Sequence, residues 1–114
     1  MDLDIKQSGN ICTLKLKGPF RSVESVKELN STVESALAGG CIYFILDLSA
    51  MPYIDSAGIG AIVSILRQSR QLGGHTMLIN PSSFAEKTFK MVGILSLFSV
   101  HTSEVDALAA CESN

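Results

Sequence analysis

Polar and apolar positions alternate at the start of the chain. Leu3 and Ile5 are flanked by charged residues, Ser8-Gly9-Asn10 supplies turn chemistry, and Cys12, Leu14 and Leu16 alternate again before Gly18-Pro19. A period of two, broken by a turn, predicts a hairpin of two half-buried strands. From residue 22 the period changes. Val23, Val26, Leu29, Val33 and Leu37 follow the three-and-four spacing of a helix face, which Gly39-Gly40 ends. Ser22 or Ser25 is placed to cap that helix, and Ser25 with Glu28 fits a capping box.

The run "CIYFILDLS" (41–49) is apolar nearly throughout, so it predicts a central strand covered on at least one face. A second helical pattern follows Asp55-Ser56, with Ile59, Ile62, Val63 and Leu66 as the stripe expected to face a sheet. Ala61 and Ile65 lie off that stripe, where they form either part of a broad buried face or an exposed apolar patch. Gly73-Gly74 stops this helix, and 75–79 ("HTMLI") is a short strand. Ser82 and Ser83 both look like caps, and Ser83 with Glu86 suggests a capping box for a helix through Phe84, Phe89 and Val92 to Gly93. Phe84, Phe89 and Met91 are assigned to the core. A last strand is expected over 97–101, then a helix opened by Thr102 or Ser103 with Glu104 and Asp106 in its first turn. A hairpin followed by alternating helices and strands is an α/β domain with a mixed sheet.

The 114 residues suit one domain. Net charge is −2 and no cluster of Lys and Arg occurs, which argues against nucleic acid or an anionic membrane as the main partner. Three widely spaced cysteines without a C-x-x-C pair suggest reduced thiols in a cytoplasmic protein. No signal-like start or membrane-length apolar run is visible, so membrane insertion is not expected.

The candidate chemistry gathers at "IDSAGIG", 54–60, where a strand hands over to a helix. Asp or Ser before a helix is commonly just an N-cap. A nucleophile elbow, G-x-S-x-G, is incomplete, because Ile54 stands where its first glycine is needed; His75 and His101 carry no mark of a base and are expected at the surface. A dinucleotide loop lacks its third glycine, since Val63 occupies that place. No metal or cofactor is implied. The remaining reading is a switch. A serine at a helix N-terminus can carry a phosphate that the free N–H groups and the dipole favour. The added charge then decides which partner docks.

The stretch "YIDSAGIGAIVSILRQSRQLGG" resembles the signature of STAS domains, the fold of bacterial anti-sigma factor antagonists. The likeness extends through "ILDLSAMPYIDSAGIG" and "GGHTMLINPSSFAEKTFKMVGILSLFSV", and an opening hairpin that closes on Gly18 fits it too. It implies one STAS-like domain over residues 1–114, with a mixed sheet of about five strands packed with about four helices. It also implies a non-enzymatic regulator. Such antagonists bind an anti-sigma factor that is also a serine protein kinase, are released when it phosphorylates them, and are reset by a serine phosphatase. By that resemblance Ser56 is the phosphoacceptor, and Asp55, Ala57, Gly58, Ile59 and Arg21 are switch or partner contacts. One position departs from the pattern: "GPFRS" places Arg21 where many antagonists carry Asp. That cation either impairs the kinase step, pairs with a phosphoserine, or is a solvated loop residue. A constitutive adaptor subunit of a transport or signalling complex, docking without phosphorylation, is the competing reading.

Overall fold

A computed structural model describes residues 2–20 and 23–112. The period-two segments are β1 (Asp2–Ser8) and β2 (Ile11–Lys17), joined through Gly9-Asn10 so that Ser8 pairs with Ile11. Then follow α1 (Val23–Ala38), β3 (Tyr43–Asp47), α2 (Ser56–Gln71), β4 (His75–Ile79) and α3 (Ser83–Met91). A 3₁₀ turn (Leu95–Leu97), β5 (Ser99–His101) and α4 (Glu104–Glu112) complete the described chain. The strands lie in sequence order, β1 antiparallel to β2 and each later pair parallel. This is the expected α/β mixed sheet of five strands with four helices.

Three successive parallel crossovers of the usual right hand put α1, α2 and α3 on one face. There Leu14, Leu29, Phe44, Leu46, Ile62, Leu78 and Phe89 share one buried cluster. The other face has a smaller cluster, Ile45, Met77 and Ile79 beneath Ala107 and Cys111 of α4. α1 ends as the Gly39-Gly40 pair predicts. Gly40 takes φ 97°, its N–H bonds Leu37 O, and the Cys41 N–H reaches back to Ala36 O at 3.0 Å, so that the orphan carbonyls of the last turn are satisfied.

Several local expectations are corrected. Ile5 is half exposed because β1 is an edge strand, with no further strand beside it among the described residues. Ser25 lies inside α1 and is buried, so it is no cap; Ser22, the other candidate, falls outside the described residues. Val23 is exposed. Of the two serines expected to cap α3, Ser82 does so and Ser83 does not, and Glu86 pairs with Lys90 instead of closing a capping box. Only Phe89 of the three assigned residues of α3 is core: Phe84 and Met91 are exposed. The final strand begins at Ser99, because residues 95–97 curl into the 3₁₀ turn. Ser103 is the serine whose hydroxyl accepts from a first-turn amide of α4, that of Asp106.

α2 is rotated from the expected stripe. Its buried side is Gly58, Ala61, Ile62, Ile65, Leu66 and Ser69, while Ile59 and Val63 are only partly buried. Ala61 and Ile65 are therefore core and not a patch. The reason is tertiary: α1 packs beside α2 and covers that flank, so the buried arc is wider than a sheet alone would make it.

Candidate functional site

The turn at Asp55-Ser56 sits where β3, after residues 48–54, feeds α2. It is fastened to the loop after β2 by backbone bonds. Gly18 N–H donates to Ala50 O at 3.0 Å, Phe20 N–H to Tyr53 O at 2.8 Å, and Asp55 N–H to Phe20 O at 3.1 Å. Phe20, Met51 and Ile54 are buried beneath it. On the other side, Ser82 Oγ donates to Met51 O at 2.6 Å and accepts the Ala85 N–H at 3.1 Å, so one hydroxyl both caps α3 and ties down the loop. The Tyr53 and Phe84 rings meet at 5.4 Å, tilted by 36°. A loop held this way presents its residues from a fixed frame.

Asp55 and Ser56 take different parts in that frame. Asp55 is the N-cap: its Oδ1 accepts the Gly58 N–H at 2.9 Å and its carbonyl accepts the Ile59 N–H at 2.9 Å. Ser56 is the first helical residue, and it is exposed, as is Ala57. Helix geometry leaves the Ser56 and Ala57 N–H groups without intrahelical acceptors. The hydroxyl thus stands free of the cap, at the positive end of a 16-residue helix with no acid in its first turn. Gly58 is required by close approach. A Cβ there would lie 2.8 Å from Ile54 Cγ1 and 3.0 Å from the Phe20 carbonyl oxygen. The sequence places Asp55, Ser56, Ala57, Gly58 and Ile59 together, and the structure keeps them so; Arg21 lies outside the described residues.

Neither histidine stands at the turn. His75 is at the start of β4, whereas Ser56 follows the end of the parallel neighbour β3, so the two lie at opposite ends of the strands; His75 Nε2 is 3.3 Å from Ser99 Oγ. His101 is on β5, two strands from β3. Both are partly buried, against the expectation of surface residues, and His101 Nε2 is enclosed. The cysteines are buried free thiols. Burial, then neighbouring Cys41, pushes Cys12 up to about 12, and burial raises Cys41 and Cys111 also, so none is poised as a thiolate.

Residues not foreseen as part of this site are Tyr53, Ser82 and Phe84. No local pattern marks them, because the contacts that bring them to the turn join segments 31 residues apart. Among the described residues no helix is long and apolar enough to cross a membrane.

The family model described as STAS domain matches residues 2–107. BtrV of Bordetella bronchiseptica, named as an anti-sigma factor antagonist, is 30% identical over 95 residues, 83% of this chain and 81% of its own. The anti-sigma factor antagonist SpoIIAA in its unphosphorylated form superposes with a TM-score of 0.86 at 18% identity, covering 99% of this chain and 98% of its own. The phosphorylated form of the Bacillus SpoIIAA gives 0.77 at 20% identity, covering 96% and 98%. A sulfate transporter family protein from Wolinella succinogenes gives 0.76 at 19% identity, covering 91% and 86%. The structural likenesses carry the fold.

Proposed function

The chain belongs to the STAS domain family, and on that premise we propose that it is an anti-sigma factor antagonist switched by phosphorylation of Ser56. The observation that supports this most is the division of labour at the turn. Asp55 supplies the cap, so the Ser56 hydroxyl is exposed and available at a helix N-terminus. A phosphoryl group on Ser56 would keep the helix intact, because negative charge at that end is favourable by about 0.3–1 kcal/mol. Its effect falls on whatever protein covers the turn, which meets roughly two new charges and must desolvate them. The partners on this reading are an anti-sigma factor that is also a serine protein kinase, and a serine phosphatase. The relatives named as antagonists and the solved phosphorylated state of SpoIIAA favour the same reading.

The test is intact mass with site mapping on protein taken from its own cells, in growth and under stress. Phosphate confined to Ser56 and varying with condition is expected. Ser56→Ala should remove the phosphate and hold the partner; Ser56→Asp should release it with the fold unchanged. The second reading, a constitutive adaptor, is favoured by Arg21 in place of an acid and by the likeness to the transporter family protein. A partner held tightly with no phosphate at Ser56 under any condition would establish it instead.

A further inference from the structure

β1 and β5 are the two edges of the sheet, and they differ in what they offer. β5 has three residues, short enough to blunt pairing. β1 has seven, and its register with β2 runs unbroken from Asp2 to Ser8 with no proline or bulge. The hairpin fixes which of its backbone groups face outward. Gly9-Asn10 is a two-residue turn with Gly9 at φ 60°, so the closing pair Ser8–Ile11 is hydrogen-bonded in both directions. Bonded pairs then recur at every second residue, at Lys6–Thr13 and Asp4–Lys15. The far side of the hairpin agrees, since Asn10 O turns the other way and accepts from the N–H groups of Ile42 and Tyr43. The N–H and C=O groups of Leu3, Ile5 and Gln7 therefore point away from β2, where among the described residues no backbone group meets them.

An open edge of this length accepts another strand, and the side chains say which one. Two copies of β1 set antiparallel, with their outward groups bonded, must oppose odd-numbered residues to odd-numbered ones. Centred on Asp4 the pairing sets Asp4 against itself, and centred on Lys6 it sets Lys6 against itself. Shifts farther out set Asp4 against Asp2 or leave most of the strand unpaired. Centred on Ile5, Asp4 faces Lys6 of the second copy and Lys6 faces its Asp4, Leu3 faces Gln7, and the half-exposed Ile5 side chains meet. Opposite charges across a strand pair are favourable and like charges unfavourable, so this register is selected. Within the chain Asp4 already holds Lys17 at 2.8 Å and Lys6 holds Glu104 at 3.1 Å, yet their side chains stay 66% and 69% exposed. A carboxylate accepts, and an ammonium donates, more than one bond. In the pair the charges alternate along one row: Lys17, Asp4, then Lys6 and Glu104 of the second copy.

We propose that β1 pairs antiparallel with β1 of a second copy of this chain about a two-fold axis at Ile5, so that one sheet runs through a homodimer. The axis closes the assembly, because the edges left outermost are the short β5 strands. β3, which leads to the Ser56 turn, is two strands in from the joint, so the dimer carries one such turn in each half.

The test is sedimentation equilibrium of the full chain across a wide range of concentration, read beside amide hydrogen exchange followed by NMR. A reversible dimer is expected, and as it forms the amides of Leu3, Ile5 and Gln7 should gain more protection than those of Asp4 and Lys6, which β2 already bonds. Ile5→Pro removes an outward N–H and leaves the ladder to β2 its bonds, so it should give a monomer. Asp4→Lys and Lys6→Asp should each raise the dimer Kd at least about tenfold. An equimolar mixture of those two variants should recover the dimer, because lysine then faces aspartate at both places. The internal pairs they lose are exposed and worth little, and thermal melts check that each variant is folded. A monomer at every concentration, a dimer that survives Ile5→Pro, protection that spares Leu3, Ile5 and Gln7, indifference to the charge changes, or no recovery on mixing two folded variants would each overturn the proposal.

Discussion

Asp55 and Ser56 are neighbours with the same kind of polar oxygen, yet the backbone assigns them different work. Asp55 is in an extended conformation (φ −99°, ψ −179°) and turns its carboxylate onto the Gly58 N–H; Ser56 has entered the helix and cannot reach it. Sequence alone left either residue as the cap, because both types cap well. Position within one turn decided it. His75 shows the same sensitivity to place, and with it comes a pH signature. Burial, then the Arg70 cation, lowers its pKa from the usual 6.5. The folded state therefore binds fewer protons than the unfolded chain as pH falls past that value. The associated stability is fully present above about pH 6.5 and is lost as pH drops toward the depressed folded value. The urea midpoint should fall between about pH 7.5 and about pH 5.5, and His75→Asn should flatten that part of the curve. An identical slope in the variant would assign the fall to other groups.

Among the elements, α2 is the one whose placement makes the site, and glycines govern it at both ends. Gly58 lets the first turn rest on Phe20 and Ile54; Gly74, just past the last turn, sits where a Cβ would fall on the carbonyl of Ile42. Gly60 has open space instead. Equilibrium unfolding should rank the three alanine variants by these surroundings. Gly58→Ala should cost about 1–3 kcal/mol, typical of overpacking, and Gly74→Ala more, since backbone cannot swing aside. Gly60→Ala should stabilise by roughly 0.5–1 kcal/mol by removing a flexible residue from a helix. Equal effects at Gly58 and Gly60 would contradict the close-packing account. This comparison also marks what was legible beforehand. The existence of the five strands and four helices, the hairpin and the placing of Asp55-Ser56 at a helix start follow from period and turn chemistry, which are local; the 3₁₀ turn at Leu95–Leu97 does not. The rotation of α2, the choice of Ser82 over Ser83, and the exposure of Ile5, Phe84 and Met91 do not. A helix stripe about 100° wide permits several orientations, and only a neighbour distant in sequence selects one. For α2 that neighbour is α1, and for Ser82 it is the carbonyl of Met51.

At the scale of the whole molecule, the two faces of the sheet are built unequally, and stability should follow that asymmetry. Three helices and large side chains such as Phe20, Phe44 and Phe89 fill one face. Among the described residues, α4 is the helix that closes the other over Ile45, Met77 and Ile79, through the small side chains of Ala107 and Cys111, with partial cover from Ile11, Tyr43, Leu108 and Ala110. Burying a large apolar side chain contributes roughly 1.5–3 kcal/mol, and an alanine methyl far less. α4 also has only nine residues, too few to hold a helix by itself. It should then open in local events well below the global unfolding energy, leaving the Ser56 face undisturbed. Native-state hydrogen exchange tests this directly. Amides of α4 should exchange with little dependence on urea, and those of β3 and β4 only through global unfolding. Ala107→Asp, which buries an unpaired carboxylate, should destabilise far more than Val105→Asp on the same helix, where the side chain is 74% exposed. If α4 amides instead exchange at the global limit, the smaller core is as tightly coupled as the larger, and phosphate-dependent changes at Ser56 would have a route to the far face of the sheet.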